Sequence, residues 1–85
     1  MTTEELNRLI SIQLKGFRGD KNISLEKVGE ILEVHRETAR RYENHPLDMS
    51  VDQFLKLLNF YGIEATNFFN LIYGNLPLND TKNIK

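Results

Sequence analysis

Three arginines, Arg36, Arg40 and Arg41, fall within the run EVHRETARRYEN at positions 33–44 of an 85-residue chain whose formal net charge is −1. A guanidinium gives up no proton near neutral pH, so its chemistry is recognition. It offers a rigid fork of donors that pairs bidentately with guanine, carboxylate or phosphate. Other chemistry has little to work with. His35 and His45 stand ten positions apart, which is not metal-ligand spacing, and the chain has no cysteine to join them. Carboxylates are scattered over helix starts and exposed faces, and no phosphate loop or nucleophile motif occurs. No enzyme, no metal, no cofactor and no small-molecule ligand are expected.

The arginines need a helix to align them. At 100° per residue, with Arg36 at zero, Arg40 falls at about 40°, Glu37 at about 100° and Arg41 at about 140°. Thr38, Tyr42 and Ala39 fall at about 200°, 240° and 300°. Small and aromatic residues therefore share one face, and the arginines share the other. The plain alternative is a solvated face with Glu37 and Arg41 as an i,i+4 pair.

Punctuation cuts the rest of the chain into short helices. In TEELNRLISIQLKGF, Leu6, Ile10, Leu14 and Phe17 recur at helical spacing, Thr3 can cap the start, and GDKN is expected to end the helix at Asn22. SLEKVGEIL opens on Ser24 as cap and turns Leu25, Val28 and Leu32 inward. His35 can cap the arginine helix, and NHPLDM reads as a loop. SVDQFLKLLNFYG starts at Ser50, buries Phe54, Leu57, Leu58 and Tyr61, and ends at Gly62. TNFFNLIYG is a fifth helix closed by Gly74, and NLPLNDTKNIK reads as a tail. An all-α domain of five helices over 1–74 follows, with a tail over 75–85. The expected core is Leu14, Phe17, Val28, Leu32, Val34, Ala39, Tyr42, Phe54, Leu57 and Leu58.

Hydrophobic residues at 40% and charged residues at 27% describe an ordinary globular composition, and no apolar run approaches the roughly 20 residues of a membrane span. The start, MTTEEL, lacks the basic and apolar regions of a signal peptide, so a cytoplasmic protein is expected. KGFRGDK at 15–21 holds a GxxG among basic residues, as RNA-binding KH domains do. Those domains need strands, and period-two alternation is scarce here.

From Leu14 to about Leu71, the chain resembles, without a gap, the Xre family of Cro and phage-type repressors. ISLEKVGEILEVHRETARRYEN is similar to the family's helix-turn-helix (about 24–44), and SVDQFLKLLNFYGI is similar to its fourth helix. The resemblance implies a five-helix, lambda-repressor-like DNA-binding domain. It places His35, Arg36, Glu37 and Arg40 where the family reads base edges. Ser24, Arg41 and Asn44 stand where it meets the sugar–phosphate backbone. Arg18 and Glu43 take the positions of a partly buried ion pair. Taken on its own chemistry, His35 suits a cap beside a phosphate, and Glu37 suits orienting Arg40 or Arg41. Glu33 occupies the usual glycine of the turn, Gly29 replaces the usual alanine, Leu25 replaces a glutamine, and HPLD lacks the customary basic residues.

Phe60, Tyr61, Phe68, Phe69, Ile72 and Tyr73 crowd the last two helices. A domain this small cannot cover all of them, so Phe68, Phe69, Ile72 and Tyr73 are expected in a dimer interface unless Leu76 and Leu78 of the tail fold over them. The expected function is a sequence-specific DNA-binding transcriptional regulator, a homodimeric repressor of bacterial, phage or mobile-element origin, whose partner is operator duplex. The alternative is a protein-interaction module on the same scaffold, an antitoxin or phage inhibitor gripping an acidic partner.

Overall fold

Three of the helix ends in this chain are set by one recurring device. The computed structural model describes residues 1–74; the expected tail, with Leu76 and Leu78, lies outside the described residues. The helices are α1 (Thr3–Lys21), α2 (Leu25–Leu32), α3 (Arg36–Asn44), α4 (Val51–Tyr61) and α5 (Ala65–Tyr73), with a 3-10 turn over Pro46–Asp48. No strand occurs among the described residues.

α1, α2 and α4 each stop at a left-handed residue: Asn22 (φ 59°), Glu33 (φ 59°) and Gly62 (φ 80°). In each, the capping residue's N–H donates three residues back, and the N–H of the next residue, Ile23, Val34 or Ile63, donates five back. This double closure satisfies carbonyls that a helix end otherwise leaves open. Glycine takes that conformation freely and asparagine tolerates it, but for glutamate it costs about 1–2 kcal/mol. The α2–α3 link is therefore strained at Glu33.

Starts are capped as regularly. The Ser24 hydroxyl accepts from the Lys27 N–H, and Ser50 forms a reciprocal box with Gln53. Two starts differ from expectation. The first cap is Thr2, boxed with Glu5, and Thr3 is already helical; Thr2 is the residue whose hydroxyl reaches the N–H three places on. His35 holds the cap position of α3, but its ring makes no capping bond. α1 ends at Asn22 as expected, and it holds through Gly16 and Gly19 because Phe17 packs on the core and Arg18 is anchored across the domain. Tertiary contact outweighs the poor helix propensity of glycine.

The core joins Ile10 and Leu14 of α1, Val28 and Leu32 of α2, Ala39 of α3, Leu57, Leu58 and Tyr61 of α4, and Phe68 and Ile72 of α5, with Met49 below the 3-10 turn. Phe17, Tyr42 and Phe54 are half-buried rather than enclosed, as are Leu6 and Leu25, because each lies at the edge of its helix's inner face, and Val34 in the α2–α3 link is half-buried too. Phe68 sits among rings: Phe54 at 5.4 Å edge-on, Phe69 at 5.6 Å edge-on and Phe17 at 6.1 Å. Phe68 and Ile72, four residues apart, are fully buried and dock α5. Both are thereby removed from the expected dimer interface, which leaves half-buried Phe69 and exposed Tyr73.

Gly29 sets the α2–α3 crossing. A Cβ there would lie 2.6 Å from the Val34 carbonyl oxygen, a backbone atom that cannot swing aside. Gly29→Ala is expected to lower the unfolding free energy by about 1–3 kcal/mol through overpacking, despite alanine's better propensity. Glu33→Gly is expected to raise it by about 0.5–1 kcal/mol by relieving the left-handed strain. Urea melts of the two variants check both signs.

Candidate nucleic-acid interface

Ala39 decides which way α3 faces. It is wholly buried, with Glu43 buried one turn on and Thr38 and Tyr42 half-buried beside it, so Arg36, Glu37, Arg40, Arg41 and Asn44 are exposed. The far end of the helix is held by charge. Arg18 Nε donates to Glu43 Oε2 at 2.6 Å, its Nη2 donates to Oε1 at 3.2 Å, and its Nη1 donates to the Ile23 carbonyl at 2.9 Å. One guanidinium thus joins the last turn of α1, the α1–α2 link and the last turn of α3. The hydrogen bond to Glu43 raises the Arg18 guanidinium above its ordinary value, against a smaller opposing effect of burial. Tyr61 lies close enough to feel both charges, and burial pushes its phenol up to about 12.

The exposed arginines are not free. Glu37 Oε1 accepts from Arg40 Nε at 3.2 Å, and its other oxygen lies 3.8 Å from Arg36. Arg41 turns instead to Asp48 in the 3-10 turn, at 3.2 Å, with its guanidinium 5.1 Å from the Tyr42 ring centroid. The i,i+4 pairing of Glu37 with Arg41 does not form, because Asp48 and Tyr42 hold Arg41 on the far side. Three arginines and two carboxylates leave this face one positive charge in excess.

The remaining sequence-derived positions are spread around this centre. Ser24 is exposed at the start of α2, with its hydroxyl already accepting from Lys27. His35 is exposed on a cleft of about 610 Å³ shared with Gly29, Arg36 and three glutamates, Glu26, Glu30 and Glu33. Asn44 is the last residue of α3 and, with His45, lines a groove against α1. Asp48 was not singled out by sequence. It lies seven residues from Arg41, beyond a helix end, where helical spacing no longer reports proximity.

No group of three or more metal-ligating side chains occurs among the described residues, and no described helix is long and apolar enough to cross a membrane. No family model matches the chain, and comparison with curated proteins and with solved structures found no match either.

The Arg18–Glu43 pair has a measurable consequence. Removing either partner leaves the other partly desolvated, so Arg18→Ala and Glu43→Ala are each expected to cost on the order of 1–3 kcal/mol. The double variant should fall well short of their sum. A double-mutant cycle by chemical denaturation reads the coupling.

Proposed function

We propose that this chain is a sequence-specific DNA-binding regulator of transcription. In this reading α2 and α3 act as a helix-turn-helix, and α3 enters the major groove. The observation that carries it is the direction of α3: a buried alanine and a clamped glutamate turn Arg36, Arg40, Arg41 and Asn44 outward together. A short helix presenting arginines on one face, set at a tight turn against a capped helix, is the geometry that major-groove readers use. Arg36 and Arg40 would pair with guanine edges, with Glu37 either orienting them or accepting from cytosine. His35 would stand beside them at the start of α3. Arg41, Ser24 and Asn44 would meet phosphates. Regulation would be steric, by occupation of an operator.

Tyr73 is 53% exposed, with its ring tilted beside that of half-buried Phe69 at 6.4 Å, and this exposed aromatic supports pairing of two copies through the end of α5. Two recognition helices roughly 34 Å apart would then address successive major grooves. A second reading, a module that grips an acidic protein, is favoured by the glutamates beside Arg36 and by Asp48, which oppose a polyanion.

Arg40→Ala is expected to cost on the order of 1–3 kcal/mol per half-site and to relax preference at one base position. Arg41→Ala should weaken all sequences alike and flatten the salt dependence by about 0.9 units of slope. Selection from a random duplex library followed by titration of each variant tests this. Absence of any duplex binding by the parent at low salt refutes it in favour of the acidic partner.

Self-association has its own test. The parent should sediment as a dimer at high micromolar concentration, and Tyr73→Glu should give a folded monomer.

A further inference from the structure

The groove that Asn44 and His45 line against α1 extends well beyond those two residues. It runs along α1, holds about 300 Å³ and is lined by Glu4, Asn7, Arg8, Ser11, Lys15, Asn44 and His45. Its register is fixed at both ends. Arg18 grips Glu43 below it, and Asn7 Oδ1 accepts from the Leu47 N–H at 2.9 Å above it. Between these anchors the chain from Asn44 to Leu47 runs antiparallel to α1. Arg8, Ser11 and Lys15 lie within about 60° of one another around α1 and therefore share one face.

Two facts point to a ligand. Six of the nine lysines and arginines among the described residues, Arg18, Lys27, Arg36, Arg40, Arg41 and Lys56, are in ion pairs. Arg8 and Lys15, both exposed, make none among the described residues, and only Lys21 joins them in that. The groove therefore holds two cations that form no ion pair, with the acid Glu4 in the same lining and Glu5 near enough to feel Arg8, whereas the arginines of α3 already have carboxylate partners. Asn44 also belongs to both surfaces. On α3 it falls at about 80°, between Arg40 and Arg41, and it is also part of the groove wall. The arginine face therefore continues into the groove without a break.

We infer that this groove is a second phosphate-binding strip, in which Lys15 and Arg8 take neighbouring phosphates of the strand that passes Asn44. The inference rests on the DNA-binding reading of α3. The two residues are seven apart, roughly 10 Å along the helix, a separation that suits two phosphates of one strand. Their side chains are long and exposed and form no ion pair among the described residues, so engaging a phosphate breaks none of the ion pairs found there. His45 adds an exposed polar group beside them, while Ser11 between them is buried in the groove wall. Glu4, at the far end of α1, marks where the strip stops. The strip reads no bases, so it adds affinity and orientation without adding sequence preference.

The test is a salt series on the selected duplex with the full chain, comparing the parent, Arg8→Ala, Lys15→Ala, the double variant and Arg40→Ala. Circular dichroism confirms that the surface variants fold. The double variant is expected to bind roughly tenfold or more weakly at 0.1 M salt, with a log–log slope reduced by about 1.8. Each single variant should account for about half of that slope, and preference among duplexes should be unchanged. Ethylation interference should lose two phosphates next to the one assigned to Asn44. If the parent binds duplex and Arg40→Ala weakens it, but the double variant keeps the parental slope, the strip is wrong and the DNA reading stands. If the parent binds no duplex, both fall. Capture of a polyglutamate peptide in that case, lost in the double variant, assigns the groove to an acidic protein surface.

Discussion

Arg18 is the side chain on which the other placements depend. Its guanidinium donates from three nitrogens to both oxygens of Glu43 and to the carbonyl of Ile23, while its own carbonyl accepts from the Ile23 N–H at the end of α1. Glu43 is 8% exposed and sits beside the Tyr61 ring, so an unpaired carboxylate there would be costly. The contact therefore works as a constraint on rotation. α3 cannot roll about its axis without withdrawing Glu43 from the guanidinium. Rolling would also lift Ala39 off the core. The outward bearing of the arginines follows from these two inward commitments.

A second constraint is distance. Gly29 lets the carbonyl of Val34 come closer than any side chain would permit, and the closure at Glu33 then starts α3 within four residues of the end of α2. The repeated helix ends at Asn22, Glu33 and Gly62 place an aliphatic residue directly after each turn. Ile23, Val34 and Ile63 all pack against the core. Three turns of the same construction thus fold the chain back on itself. This suits a small domain, whose core must be assembled from short elements that are marginal alone.

Much of this was legible in the residues. Ser24, Ser50 and Gly62 announce helix boundaries, and Thr38, Ala39 and Tyr42 fix the inner side of α3 by angle alone. The burial of Phe68 and Ile72 was not legible. A count of apolar side chains in α4 and α5 says that some must be exposed, but only the docking of α5 selects which. The partner of Arg41 was hidden for a related reason: Asp48 approaches through a 3-10 turn, which breaks helical periodicity. In α1, attention to the apolar stripe passed over Arg8, Ser11 and Lys15, although their spacing is as helical as that of Leu6, Ile10 and Leu14. Asn22 likewise announces the end of α1, which closes on its left-handed backbone as the GDKN run implies.

The carboxylates that hold the α3 arginines have a consequence for selectivity among anions. Glu37 already occupies donors of Arg36 and Arg40, and Asp48 those of Arg41. An incoming anion gains only the difference between its own bond and the one it displaces. A dilute monovalent ion offers too little to shift that exchange. A surface that engages several guanidinium groups in one arrangement offers much more. The acids act as resident competitors, each pair worth only about 0–1 kcal/mol at this exposure, so an anion would have to engage several guanidinium groups at once to gain much by displacing them.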